Sequence, residues 1–64
     1  MTASFKEGVR EGELNAACTI YMVHKRCNLS ISPQLLGILN RIVQDNGGVG
    51  VEEESNERFN KFAN

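Results

Sequence analysis

CTIYMVHKRC, residues 18–27, is the stretch that decides the fold, because its composition suits both a buried strand and the middle of a long helix. Thr19, Ile20, Tyr21 and Val23 are residue types that favour strands, and a short apolar run is typical of a buried strand. A strand over residues 17–24 would give an α+β fold with β-α-β order. This alternative competes with an all-α fold in which the same residues are helical.

The spacing of apolar residues on both sides of this stretch favours the helix. One row has steps of three or four residues, as one face of a helix requires. Its members are Phe5, Val9, Gly12, Ala16, Ile20, Val23 and Cys27. A second row with the same spacing contains Leu14, Ala17 and Tyr21. A periodicity sustained over so many residues outweighs the strand preference of a few of them.

The start of this helix carries one favourable and one unfavourable signal. Ser4 stands three residues before Glu7, which is the arrangement of a capping box. Gly8 and Gly12 each disfavour a helix by about 1 kcal/mol relative to Ala. We expect a long helix over about residues 5–27.

Two further helices follow along the chain. In SPQLLGILNRIVQDNGG, Ser32 is a good N-cap, Pro33 suits the first helical position and Gly47 suits the position after the last turn. This pattern predicts a helix over residues 33–46. The tail EEESNERFNKF predicts a short amphipathic helix over about residues 52–62. The predicted fold is therefore all-α, with a helical hairpin and a short third helix in one small domain over residues 1–64.

The length of the chain predicts self-association. A folded domain of about 60 residues buries only about 60% of the surface that its unfolded chain exposes, and domains of this size usually need disulfides, a metal or oligomerisation. The two longer helices carry more apolar surface than one such chain can cover. We expect a homo-oligomer, with an interface that includes Ile20, Val23, Leu35, Leu39 and Ile42.

Charge and hydropathy narrow the classes of partner. The formal net charge is −1, whereas a general nucleic-acid binder is normally basic. The N-terminal residues lack the apolar segment of a signal peptide, and the longest apolar run, residues 16–23, is too short to cross a bilayer. We expect a cytoplasmic protein that has reduced cysteines and no membrane partner.

The side chains best suited by type to bind a metal or act as a nucleophile are those of Cys18, His24 and Cys27. Structural zinc needs four ligands, and the spacing C-x5-H-x2-C has no fourth Cys or His to complete it. In a helix the two cysteines lie about 13 Å apart, too far for a disulfide. A catalytic His24–Cys27 pair would also need an orienting group and a pocket. We predict no metal, no cofactor and no enzymatic activity.

The sequence HKR, residues 24–26, is a local cluster of basic side chains. Its simplest role is to place cations at the C-terminal end of a helix dipole. Together with Arg41, the side chains of His24, Lys25 and Arg26 would in an oligomer form a basic site for a nucleotide or nucleic acid, which is the alternative function. The main hypothesis is a small non-enzymatic interaction protein that oligomerises and binds another macromolecule, most often a protein. Regulators, inhibitors, adaptors and phage accessory proteins belong to this class.

Overall fold

Three α-helices follow one another in the computed structural model, which describes the backbone of residues 3–60 and the side chains of residues 6–59. They are α1 (Ala3–Arg26), α2 (Pro33–Asp45) and α3 (Val51–Asn60). Residues 3–60 contain no strand, so the all-α prediction is confirmed. The alternative α+β fold is not supported, because residues 17–24 lie in the middle of α1.

The predicted helix boundaries differ from the observed ones by two residues at most, where both can be compared. The predicted end of the third helix, at residue 62, lies outside the described residues. One correction concerns the start of α1. Its backbone is already helical at Ala3, so Ser4 lies inside the helix and is not its N-cap.

Local backbone geometry ends both α1 and α2 in the same way. Asn28 has a positive φ of 55°, and the N–H of Leu29 donates to the carbonyl oxygen of His24 at 2.8 Å. After α2, Gly47 has a φ of 91° and the N–H of Gly48 donates to a carbonyl oxygen of the last turn at 2.9 Å. These bonds form Schellman motifs, which satisfy carbonyl groups that a helix leaves unpaired at its C-terminus.

The two shorter helices begin in different ways. The Ser32 hydroxyl accepts a hydrogen bond from the N–H of Leu35 at 3.1 Å, which confirms the predicted N-cap of α2. Gly50 precedes α3 and offers no such side chain. Instead, Asn40 of α2 accepts a hydrogen bond from the N–H of Val51 through its Oδ1, at 2.8 Å. The first turn of α3 is therefore capped by a side chain of α2.

The core lies where α1 packs against both α2 and α3, which also contact each other. The inner face of α1 consists of Leu14, Ala17, Cys18 and Tyr21, all of them buried. Opposite this face are Leu39 and Val43 of α2 and Val51 of α3. Burying a Leu or Val side chain stabilises the folded chain by about 1.5–3 kcal/mol, so these residues are the main source of stability.

An ion-pair network joins α1 to α3 at the edge of this core. The guanidinium of Arg58 donates two hydrogen bonds to the carboxylate of Glu11, at 2.6 and 2.9 Å. Its Nε also donates to Glu54, one turn earlier on the same helix, at 3.2 Å. The hydrogen bonds from Arg58 lower the pKa of Glu11, because they stabilise the charged carboxylate.

Candidate interaction surface

A second apolar row of α1 faces away from α2 and α3. We call it the outer face, and its members with described side chains are Val9, Gly12, Ala16, Ile20 and Val23. All five are exposed, and Val9, Ile20 and Val23 keep 47%, 41% and 49% of their surface accessible. At 3.6 residues per turn the outer face lies roughly opposite the inner face. Helix α1 is thus apolar on two sides, and this chain covers one of them.

The continuity of the outer face distinguishes it from ordinary surface residues. Single exposed apolar side chains are normal on folded proteins, whereas a contiguous apolar patch indicates an interaction site. No Asp, Glu, Lys or Arg interrupts the row from Val9 to Val23. Ala16 and Ile20 also line a groove of about 300 Å³ between α1 and α2. The other residues of its lining are Ala17 and Ile42, which are apolar, and Glu13, Asp45 and Asn46, which are polar.

The residues predicted for an oligomer interface fall into two groups in the structure. Ile20 and Val23 lie on the outer face and are accessible to another molecule. Leu39 is only 1% exposed and belongs to the core of the single chain, while Leu35 and Ile42 are partly buried against that core. The two α1 residues and the exposed parts of Leu35 and Ile42 remain accessible to a second molecule.

The basic side chains at the end of α1 do not point in one direction. Consecutive helical residues are separated by about 100°, so His24, Lys25 and Arg26 spread over about 200° of the helix surface. The Nδ1 of His24 donates to the carbonyl oxygen of Ile20 at 2.7 Å. The ammonium of Lys25 lies 5.7 Å from the centre of the Tyr21 ring, within the range of a cation–π contact.

Arg41 lies on a different helix from these three side chains, in the last half of α2. Its Nε is 3.9 Å from a carboxylate oxygen of Asp45, and both side chains are largely exposed. The described residues therefore show separate cations rather than one basic pocket.

The structure places the two cysteines in different surroundings. Cys18 is fully buried in the core, while Cys27 is exposed at the end of α1, and both are free thiols. Within residues 3–60, no group of three or more His, Cys, Asp or Glu side chains is arranged to hold a metal ion.

A second groove, of about 320 Å³, lies between the end of α1 and the starts of the other two helices. Its lining mixes apolar side chains with one cation and one carboxylate. These residues are Tyr21, Lys25, Leu29, Ile31, Leu36 and Glu52. The opposite charges of Lys25 and Glu52 give this groove no preference for an anionic ligand.

Comparisons of the chain with protein-family models, with curated proteins and with solved structures gave no match. None of the described helices combines the length and the hydropathy needed to cross a membrane.

Sequence reasoning placed Val9, Gly12 and Ala16 in the same row as Ile20 and Val23 but did not assign them to an interaction surface. The signal was present, because all five share one helix face. The exposure of these residues could not be read from their spacing, since a helix with two apolar rows does not indicate which row its own chain covers.

Proposed function

We propose that this chain is a small non-enzymatic interaction protein, which self-associates and acts by binding another macromolecule. The observation that carries the proposal is the outer face of α1, which is apolar from Val9 to Val23 and exposed. Its effect on the partner would be that of a regulator, inhibitor or adaptor, because binding alone produces such effects.

The proposal is supported by the free energy that it costs to leave this apolar surface in contact with water. Each Å² of apolar surface removed from water contributes about 25 cal/mol. The outer face contains three β-branched aliphatic side chains that are between 41% and 49% exposed. Binding a complementary surface would recover this free energy without any rearrangement of the core, since the inner face is already occupied.

Site-specific photo-cross-linking would test the proposal. A benzophenone amino acid would replace Ile20 on the outer face, and in a matched control it would replace Ile38. The control position is also apolar and exposed, at 57%, but it lies on α2. Each variant would be irradiated in cells that produce it, and adducts would be identified by mass spectrometry.

We expect adducts with a second copy of the chain and with a defined further macromolecule at position 20, and few at position 38. Circular dichroism would establish that both variants keep the helical content of the unmodified chain. Equal labelling at the two positions, or no adduct at position 20, would contradict a specific interaction surface on α1.

A further inference from the structure

We propose that the outer face of α1 binds the same face of a second copy, with the two helices antiparallel and a two-fold axis beside Ala16. This inference rests on the proposed function and specifies its first partner. Its evidence is the order of residues along the outer face, their sizes and the distribution of charge along α1.

The spacing of the outer face is symmetric about Ala16. From Val9 to Val23 the steps are three, four, four and three residues. A two-fold axis beside Ala16 pairs each residue of one copy with the residue of the second copy that lies equally far on the other side of Ala16. Val9 then meets Val23 of the second copy, and Gly12 meets its Ile20. This self-complementarity is what a two-fold symmetric interface requires.

The sizes of the paired residues are complementary as well. A Cβ atom added at Gly12 would have no atom of this chain within 4 Å, so the space above this glycine is open. Ile20 is 41% exposed and is the largest described side chain of the outer face. In the antiparallel arrangement each Ile20 lies over the Gly12 of the other copy, and Ala16 lies against Ala16, where the helices approach most closely.

The same spacing keeps these residues on one side of the helix. From Val9 to Val23 the row spans 14 residues in four steps, which is seven residues in two turns. A row with this period drifts by about 20° per heptad around a straight helix, so over two heptads its residues stay on one side of α1.

Charge along α1 favours the antiparallel over the parallel orientation. The last turn carries His24, Lys25 and Arg26 and has no acidic side chain. In residues 6–13, Glu11 is paired with Arg58, and the two remaining glutamates balance the two cations. Antiparallel helices bring the basic end of each copy to this balanced half of the other and also align their dipoles favourably. Parallel helices would bring the two basic ends together.

The available area indicates a dimer that dissociates on dilution. Helix α1 has 24 residues, so the outer half of its cylinder has an area of roughly 600 Å². A standard interface buries about 800 Å² of each partner. Contact through α1 alone is therefore in the weaker class, in which the fraction of dimer changes over accessible protein concentrations.

Cysteine cross-linking would test the orientation. In a Cys27→Ser background, which keeps the buried Cys18, Val9→Cys and Val23→Cys would be made as separate proteins of different mass. Each would be oxidised mildly, alone and as an equimolar mixture. We expect the mixed disulfide to exceed either homodisulfide at least tenfold. Predominant homodisulfides would show a parallel pair and overturn the proposal, as would a random ratio of the three products.

Sedimentation equilibrium over a concentration series would test the surface itself. We expect Ile20→Lys to raise the dimer dissociation constant at least tenfold, because it places two cations in an apolar contact. The matched control Ile38→Lys introduces the same charge at an exposed position of α2 and should change the constant less than twofold. Equal effects of the two variants, or none, would overturn the proposal.

These results separate the self-pairing from the wider function. A wild-type chain that stays monomeric at every concentration, while position 20 cross-links to a different macromolecule, overturns the pairing and leaves the proposed function standing. An antiparallel dimer that cross-links to nothing else in cells supports the pairing and overturns the binding of a further macromolecule.

Discussion

The inner and outer faces of α1 have similar apolar composition and opposite surroundings. On the inner face, Leu14 and Tyr21 are each 6% exposed and pack against α2 and α3. On the outer face, Ile20 and Val23 are 41% and 49% exposed. The comparison teaches that helical periodicity identifies the rows of a helix that avoid water, whereas the rest of the chain determines which row becomes core.

The largest difference between the two faces should appear on truncation to alanine. Leu14→Ala removes a buried side chain and should lower the free energy of unfolding by about 2–5 kcal/mol. A small domain often has only about 3–5 kcal/mol in total, so this variant should be largely unfolded. Urea denaturation followed by circular dichroism would measure the loss.

Val23→Ala is the matched change on the outer face. At concentrations where the chain is monomeric it should alter the free energy of unfolding by less than about 0.5 kcal/mol, as surface substitutions usually do. Similar losses in the two variants would show that the outer face is also covered within the single chain, and would remove the basis of the comparison.

A smaller loss of stability is expected on removal of the side chain that caps the start of α3. Asn40→Ala removes the acceptor of the Val51 N–H and should lower the free energy of unfolding by about 1–2 kcal/mol. Asn40→Asp keeps an acceptor oxygen at the same place and should recover most of that loss. Thermal unfolding of the three proteins would show the order, and equal losses in both variants would show that the acceptor oxygen is not what stabilises the fold.

The buried side of α3 contains a hydroxyl whose removal should stabilise the fold. Ser55 is fully buried, and its Oγ has no hydrogen-bond partner among the described atoms. Ser55→Ala should raise the free energy of unfolding by about 1 kcal/mol, because an unpaired buried polar group is costly and Ala is the better helix former. Asn56→Ala, at an exposed neighbouring position, measures the helix-propensity part alone. A loss of stability in Ser55→Ala would contradict the unpaired state of the hydroxyl.

The smallest change in the free energy of unfolding is expected for Glu11→Gln, and this change should depend on pH. The bond from Arg58 lowers the pKa of Glu11 below its ordinary value, so the carboxylate stabilises the folded state at neutral pH. This stabilisation is lost as the pH falls through the lowered pKa of the folded state. Glu11→Gln should therefore be less stable than the wild type near neutral pH and equally stable in acid.

Urea unfolding over a pH series would check this convergence. Glu7→Gln, which removes the same charge from an exposed position of α1, serves as the control. A difference between wild type and Glu11→Gln that persists unchanged into acid would show that the amide disturbs packing and that the ion pair contributes nothing.

The elements of the fold were predictable wherever the signal is local. Ser32 and Pro33 mark the start of α2 and Gly47 marks its end, because each residue type suits the geometry of its own position. The helix through residues 18–26 was predictable from periodicity alone. The capping of α3 by Asn40 was not, because the two partners are eleven residues apart and meet only after α2 and α3 have packed.

The candidate surface was predictable only in part, because its limits also depend on tertiary packing. Its residues were visible as a row, but Leu39 of α2 was grouped with them even though it belongs to the core. Apolar side chains of a core and of an interface have the same chemistry, and only tertiary packing separates them. The basic residues 24–26 are adjacent in the sequence, but the helix directs their side chains apart.

The cap that Asn40 provides has a consequence for the order of folding. Helices α1 and α2 are each terminated by residues that closely follow them, Asn28 and Gly47, so each can end through local interactions. The start of α3 requires an oxygen of α2, and its ten residues are too few for a stable isolated helix in water. We therefore expect α3 to dock last, and its amide hydrogens to exchange with solvent sooner than those of the other helices.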